Sequence, residues 1–140
     1  MPKFKLILAY DGAAYHGWQS QPSGRGVQDH VEAALSRLFP SAPRLESASR
    51  TDAGVHALGM VAHFELSPEE ARIPVRHLAL SINSGLPDDI RVRSATRAAE
   101  NFHARFDAAG KQYRYRIWNH PVMNPLLRHS AWHVPQVLDL

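Results

Sequence analysis

The chain has 140 residues, about one domain's worth, with 44% apolar and 21% charged residues. That composition excludes a disordered tail, a collagen-like repeat and a coiled-coil rod, and the absence of cysteine excludes a disulfide framework, a thiolate metal site and a thiol nucleophile. The formal charge is +3, and thirteen of the sixteen basic residues are arginine, the planar fork suited to phosphates and flat rings, so an anionic, planar partner such as nucleic acid stands beside the plainer reading of a heat-adapted surface.

In chain order, Phe4 to Tyr10 alternates, with Phe4, Leu6, Leu8 and Tyr10 on one face, and reads as a strand. A long loop from Asp11 to Gly26 follows, with four glycines and the aromatic residues Tyr15, His16 and Trp18, a length that in a compact domain points to function. Val27, Val31, Ala34, Leu35 and Leu38 keep helical spacing up to Pro40. A short strand is expected near Leu45 to Ser49. A second alternating strand puts Leu58, Met60, Ala62 and Phe64 on one face. Ser67-Pro68-Glu69-Glu70 has the form of a capping box with proline at the first helical position, and Pro74 restarts the helix so that Val75, Leu78, Ala79 and Ile82 turn inward. Ile90, Val92 and Ser94 alternate with Arg91 and Arg93 as a fourth strand, and Gln112 to Trp118 reads as a fifth, with Tyr113, Tyr115 and Ile117 on one face.

The order strand, helix, strand, strand, helix, strand matches the split βαβ, or ferredoxin-like, arrangement, with helices on one face of a mixed sheet and the other face open to a ligand. The fold class is therefore α+β. Residues 1–100 form the first domain, and residues 101–140 the beginning of a further part. No segment approaches the ~20 apolar residues of a membrane span, and the apolar run after Lys3 and Lys5 is too short for a secretory signal, so a cytoplasmic protein is expected.

The stretch Arg50-Thr51-Asp52-Ala53-Gly54-Val55-His56 sits between two strands and has no periodicity. An arginine beside an aspartate favours the ionised carboxylate that a nucleophile or general base requires, and Gly54 permits a tight turn close to a ligand. From spacing alone the plainer reading of the same stretch is an Asx turn with a surface ion pair. His56 and His63 lie seven apart, which on a strand sends them to opposite faces, and neither H-E-x-x-H nor a P-loop lysine is present. In Lys111-Gln112-Tyr113-Arg114-Tyr115-Arg116 the aromatic and cationic side chains interleave, and a tyrosine ring there can stack on an unpaired base.

Taken in register, Tyr10-Asp11-Gly12, His16-Gly17-Trp18-Gln19 with Gln21, Val27-Gln28, Arg50-Thr51-Asp52-Ala53-Gly54-Val55-His56-Ala57, Asn83 with Leu86-Pro87, Phe102-His103-Ala104-Arg105-Phe106, and Tyr113 with Tyr115 resemble the tRNA pseudouridine synthase A family. The resemblance covers nearly the whole chain but only the N-terminal half to two-thirds of a typical member. It implies half of a pseudouridine synthase fold and isomerisation of uridine to pseudouridine in the anticodon stem-loop of tRNA, at positions 38–40. It implies Asp52 as nucleophile, Tyr113 stacked on the target base, and Arg50 holding the flipped nucleotide. Arg105, His56 and Gln19 would touch RNA. Neither cofactor nor metal is implied, and members are usually homodimers. The chain departs from the family in Ser49, where glycine is usual, and in length, since the missing half of a member completes the cleft; it reads as a truncated member. Two rival readings stay open: a non-catalytic ferredoxin-like RNA-binding module, and a metal hydrolase built on Asp52, His56 and His63.

Overall fold

The computed structural model describes residues 1–139, which fall into two compact units, Met1–Ala108 and the residues from Ala109 onward. The first unit runs eight residues past the division expected near residue 100, because the segment after the last strand folds back onto the sheet. There Lys3 Nζ donates to the Phe102 carbonyl at 2.7 Å, and the Ala104 N–H donates to His63 Nδ1 at 3.0 Å.

The first unit contains β1 (Lys3–Tyr10), α1 (Val27–Leu38), β2 (Glu46–Ser47), β3 (Ala57–Glu65), α2 (Val75–Asn83) and β4 (Ile90–Ala98). The sheet order is β2-β3-β1-β4, the ferredoxin-like order, and every neighbouring pair is antiparallel. The expected mixed sheet is thus corrected to an antiparallel one. Each helix crosses over to a strand that is not a neighbour of the one it left, and the strand inserted between them runs the opposite way. Phe4, Leu6, Leu8 and Tyr10 of β1 are buried together with Val27, Val31 and Leu35 of α1 and Leu78 and Ile82 of α2. The helices therefore cover that face. The opposite face carries Lys3, Lys5, Ile7 and Ala9, all of them half-buried.

Two local expectations are revised. Leu58 was expected inward, yet it is 72% exposed. Leu8 pairs with Met60 but Tyr10 pairs with Ala57, so β3 carries one extra residue, and this bulge reverses the inward–outward parity before Met60. The capping box at Ser67 forms, with the Glu70 N–H donating to Ser67 Oγ at 3.2 Å and Ser67 Oγ donating to Glu70 Oε1 at 2.8 Å. It begins only a 3-10 turn, Glu70–Arg72, since Pro74 has no N–H to continue the helix; α2 starts after Pro74 with Leu78 and Ile82 buried.

The second unit holds β5 (Ile117–Trp118) and β6 (Trp132–His133), paired in parallel. Between them lies a 3-10 turn, Pro125–Leu127, whose Leu126 N–H is capped by Asn124 Oδ1. The strand expected over Gln112 to Trp118 is present only as Ile117–Trp118. Residues 112–115 have no backbone partner in a neighbouring strand among the described residues, and an alternating pattern becomes a strand only where a neighbour takes up its backbone hydrogen bonds.

Candidate active site

Asp52 lies in the connection between β2 and β3, at the end of the sheet where β1 finishes and β4 begins. A second loop, the long one after β1, holds this connection from beneath. The Trp18 N–H donates to the Thr51 carbonyl at 3.1 Å, and the Gly54 N–H donates to the Tyr15 carbonyl at 3.3 Å. Tyr10 Oη and Thr51 Oγ1 are 2.7 Å apart. Trp18 is buried with its ring stacked on that of Tyr10, centroids 5.9 Å apart.

Glycines make the close approach possible. A Cβ on Gly12 would fall 2.0 Å from the Val55 carbonyl oxygen, and one on Gly17 would fall 2.7 Å from that of Thr51. Gly17 and Gly54 also have φ of +83° and +80°, the left-handed region that glycine enters without steric cost. The supporting loop is itself anchored: Tyr15 Oη donates to Asp89 Oδ1 at 2.5 Å, and the Asp11 N–H donates to the Asp89 carbonyl at 2.9 Å. At the start of α1, the Asp29 carboxylate accepts from Ser20 Oγ and from the N–H groups of Gln21 and Gly26. Burial alone would raise the Asp29 pKa; these donors outweigh it and hold the carboxyl below its ordinary value.

Within this frame Asp52 is exposed, and its carboxylate has no hydrogen-bond or ion-pair partner among the described residues. Arg50 is exposed as well and makes no ion pair with Asp52, so the guanidinium–carboxylate neighbourhood suggested by sequence is not formed. His56 binds the two loops together: its Nδ1 accepts the Gly12 N–H at 2.9 Å and lies 3.2 Å from Asp11 Oδ1. Gln19 is exposed in the supporting loop. Arg105 lies on the turn that follows β4, its guanidinium 5.9 Å from the Phe106 ring. Tyr113 belongs to the second unit and is exposed.

The structure does not gather Asp52, His56 and His63 into one site. His63 is buried, 4% exposed, and its nearest polar neighbours are His103 and the Ala104 N–H. One group of three potential ligands occurs among the described residues, Glu46, His63 and His103. Its donor chemistry does not suit a metal ion. Both imidazoles use Nδ1 to accept backbone N–H groups, from Ala104 in one case and from Arg105 and Phe106 in the other. The proton is thereby fixed on each Nε2, leaving no lone pair there for a cation.

Sequence reading missed the residues that hold the Asp52 loop, namely Gly12, Gly17, Tyr10 and Trp18. Their glycine and aromatic character was visible, but the loop they would meet was not. It also missed the Glu46–His63–His103 group, whose members are scattered over three segments.

The site is thus an exposed carboxylate on a glycine-cradled loop at one end of a ferredoxin-like sheet. Residues 6–107 match the family model described as tRNA pseudouridine synthase. The chain is 49% identical over 140 residues to the tRNA pseudouridine synthase A of Geobacter sulfurreducens, covering 100% of this chain and 56% of that protein. It is 47% identical over 135 residues to the tRNA pseudouridine synthase A of Akkermansia muciniphila, covering 96% and 51% respectively. It is 47% identical over 140 residues to that of Syntrophotalea carbinolica, covering 100% and 54%. The chain belongs to the tRNA pseudouridine synthase family. It spans about half the length of these relatives.

Proposed function

We propose that this chain carries the nucleophile-bearing half of a tRNA pseudouridine synthase, and that Asp52 attacks a uridine in the anticodon stem-loop. The observation that carries the reading is the accessible, unpaired Asp52 carboxylate on a loop whose backbone is fixed by Gly12, Gly17 and Trp18. A nucleophile has to reach its substrate, and a fixed backbone removes the entropic cost of bringing it there.

The reaction breaks the bond from ribose C1′ to N1, turns the uracil, and joins C1′ to C5. The C5 proton is lost and N1 gains one, so the net change is an isomerisation that requires no external oxidant or group donor. A carboxylate adduct divides the difficult step in two. A uridine within a stem has first to be flipped out, at a cost of a few kcal/mol. Arg50, exposed two residues before Asp52, takes the space the uridine leaves, and Tyr113 stacks on the displaced base. His56 and Gln19, on the two loops around Asp52, contact the RNA, and Arg105 contacts a phosphate. A homodimer on one tRNA, and a cytoplasmic location, belong to the same reading; no helix among the described residues is long and apolar enough to cross a membrane.

The test is tritium release from tRNA labelled at uridine C5. Asp52→Asn retains the shape of the side chain and removes its nucleophilicity. The expected result is no release above background, with tRNA affinity unchanged. Release at the unsubstituted rate would end the nucleophile assignment, and equal loss of release and binding would make Asp52 a structural residue.

A further inference from the structure

We propose that the turn Phe102–Asp107 is a second RNA-contact element, in which Phe106 is a stacking platform for one unpaired base and Arg105 engages the adjoining phosphate. The inference rests on the reading of RNA as substrate and adds a site separate from the Asp52 loop.

Phe106 is 76% exposed, an unusual position for a phenylalanine, yet its ring is held in place from behind. The His103 ring lies against it with centroids 4.2 Å apart and planes inclined by 30°, so the phenyl is backed by the imidazole, and the Arg105 guanidinium stands over the ring 5.9 Å from its centroid. His103 is fixed in turn. Its Nδ1 accepts the N–H groups of Arg105 and Phe106, at 3.1 Å and 3.3 Å, and its Nε2 lies 2.8 Å from Glu46 Oε2. With Nδ1 accepting, Nε2 carries the proton and donates to the carboxylate. The His103 ring also meets the buried His63 edge-on, centroids 4.7 Å apart, while the Ala104 N–H donates to His63 Nδ1. The turn closes with the His103 N–H donating to Asp107 Oδ2 at 2.7 Å and the Asp107 N–H to the His103 carbonyl at 2.9 Å.

Three rings thus stand in series from the sheet outward: a buried imidazole, a hydrogen-bonded imidazole and an exposed phenyl. A residue serving only the fold would turn its apolar surface inward. Here the polar network fixes the His103 ring behind an outward-facing phenyl, which lowers the ordering cost of binding a flat ligand. The charge around it selects the ligand. The Arg105 guanidinium is 5.9 Å from the Phe106 centroid and exposed. Lys5 Nζ is 5.8 Å from the Phe102 ring, and Lys3 Nζ binds the Phe102 carbonyl on the same side of the sheet. An exposed aromatic ring with a guanidinium beside it, next to Glu46 and Asp107 carboxylates already engaged by His103, fits a base and its phosphate better than an apolar protein segment.

The experiment measures binding of the 140-residue chain to a fluorescein-labelled single-stranded oligouridylate and to a blunt RNA duplex. Phe106→Leu keeps an apolar side chain and removes the π-face. It should weaken oligouridylate binding about tenfold and leave duplex binding unchanged. Arg105→Gln should weaken binding to both and reduce the salt slope on the single strand by about 0.7. Because both side chains are exposed, thermal midpoints should not move. Oligouridylate binding unaffected by Phe106→Leu overturns the platform while leaving the RNA reading intact. A change in self-association of the Phe106→Leu chain without a change in RNA affinity overturns it in favour of a protein contact. If the unsubstituted chain binds neither RNA, the reading of RNA as substrate fails and the platform fails with it.

Discussion

Two stretches of this chain carry nearly the same pattern and fold differently. Ile90-Arg91-Val92-Arg93-Ser94 and Tyr113-Arg114-Tyr115-Arg116-Ile117 both alternate a bulky apolar or aromatic residue with arginine. The first is part of β4, paired along its length with β1, and Ile90 and Val92 are buried. In the second, only Ile117 enters a ladder, and Tyr113 and Tyr115 are 60% and 89% exposed. Alternation is a property of one segment, whereas a strand is a property of two. β4 has β1 beside it and α2 beneath it; residues 112–115 have no strand beside them among the described residues, and Arg116 meets β6 only through its carbonyl, which accepts the Trp132 N–H at 2.8 Å.

The largest effect expected from this contrast concerns the paired sheet. Phe64 of β3 is buried, with its ring 5.7 Å from Phe4 and 6.3 Å from Phe39. Phe64→Ala should destabilise the first unit by about 3–5 kcal/mol, through lost burial and the cavity it leaves. Equilibrium urea unfolding measures this. A loss below about 1 kcal/mol would mean that the alternating faces of the sheet do not form its core.

The second effect tests what completes β4. This strand is at the edge of the sheet, and the Asn83 side chain at the end of α2 serves as its missing neighbour: Nδ2 donates to the Val92 carbonyl at 2.9 Å, and Oδ1 accepts the Val92 N–H at 2.7 Å. Asn83→Ala leaves both backbone groups without protein partners and should cost about 1–3 kcal/mol. Asn83→Asp, which keeps the acceptor and loses the donor, should fall between the two in the same unfolding assay.

Much of this frame was legible because local pattern and tertiary role agree. The inward set of β1, the stripe of α1 and the restart of the helix at Pro74 are each determined by residues close together in the chain. Leu58 was misassigned because a bulge is a relation between two strands, visible only when Leu8 and Tyr10 are paired with Met60 and Ala57. The Asp52 motif stood out by its residue types, but its mounting did not. That Gly12 has to lack a Cβ follows from its contact with Val55, forty-three positions away in the chain, and no local signal carries it. The outward-held Phe106 was hidden for the same reason, since Glu46, His63 and His103 come from three different segments.

His63 offers a pH-dependent way to sharpen the comparison, because it ties the post-β4 turn to the paired sheet. Burial, the neighbouring His103 and Lys3 depress its pKa below the ordinary 6.5, and Glu46 and Glu65 oppose the shift only in part. In the unfolded chain the ring takes up a proton as pH falls through 6.5, whereas the folded ring stays neutral to lower pH. Below 6.5 the unfolded state therefore binds more protons, and stability declines as pH drops until the folded pKa is passed. His63→Gln should flatten that segment of the stability–pH curve. The separate decline from Asp29 should remain: its depressed carboxyl contributes stability that is fully present above 3.8 and lost as pH falls through its folded value. An unchanged curve in His63→Gln would mean that the imidazole is not held neutral by the fold.

The smallest effect on stability belongs to the unpaired stretch, and there the two tyrosines should part company in function. Tyr113→Ala and Tyr115→Ala each remove a ring that is mostly in solvent, so neither should shift the urea midpoint by more than about 0.5 kcal/mol. If residues 112–116 keep their aromatic residues for RNA rather than for a core, tritium release should fall sharply in Tyr113→Ala and little in Tyr115→Ala. Equal losses would assign stacking to neither residue in particular. A loss of stability in either variant would mean that this stretch has a packing partner after all, and the contrast with β4 would then be one of degree.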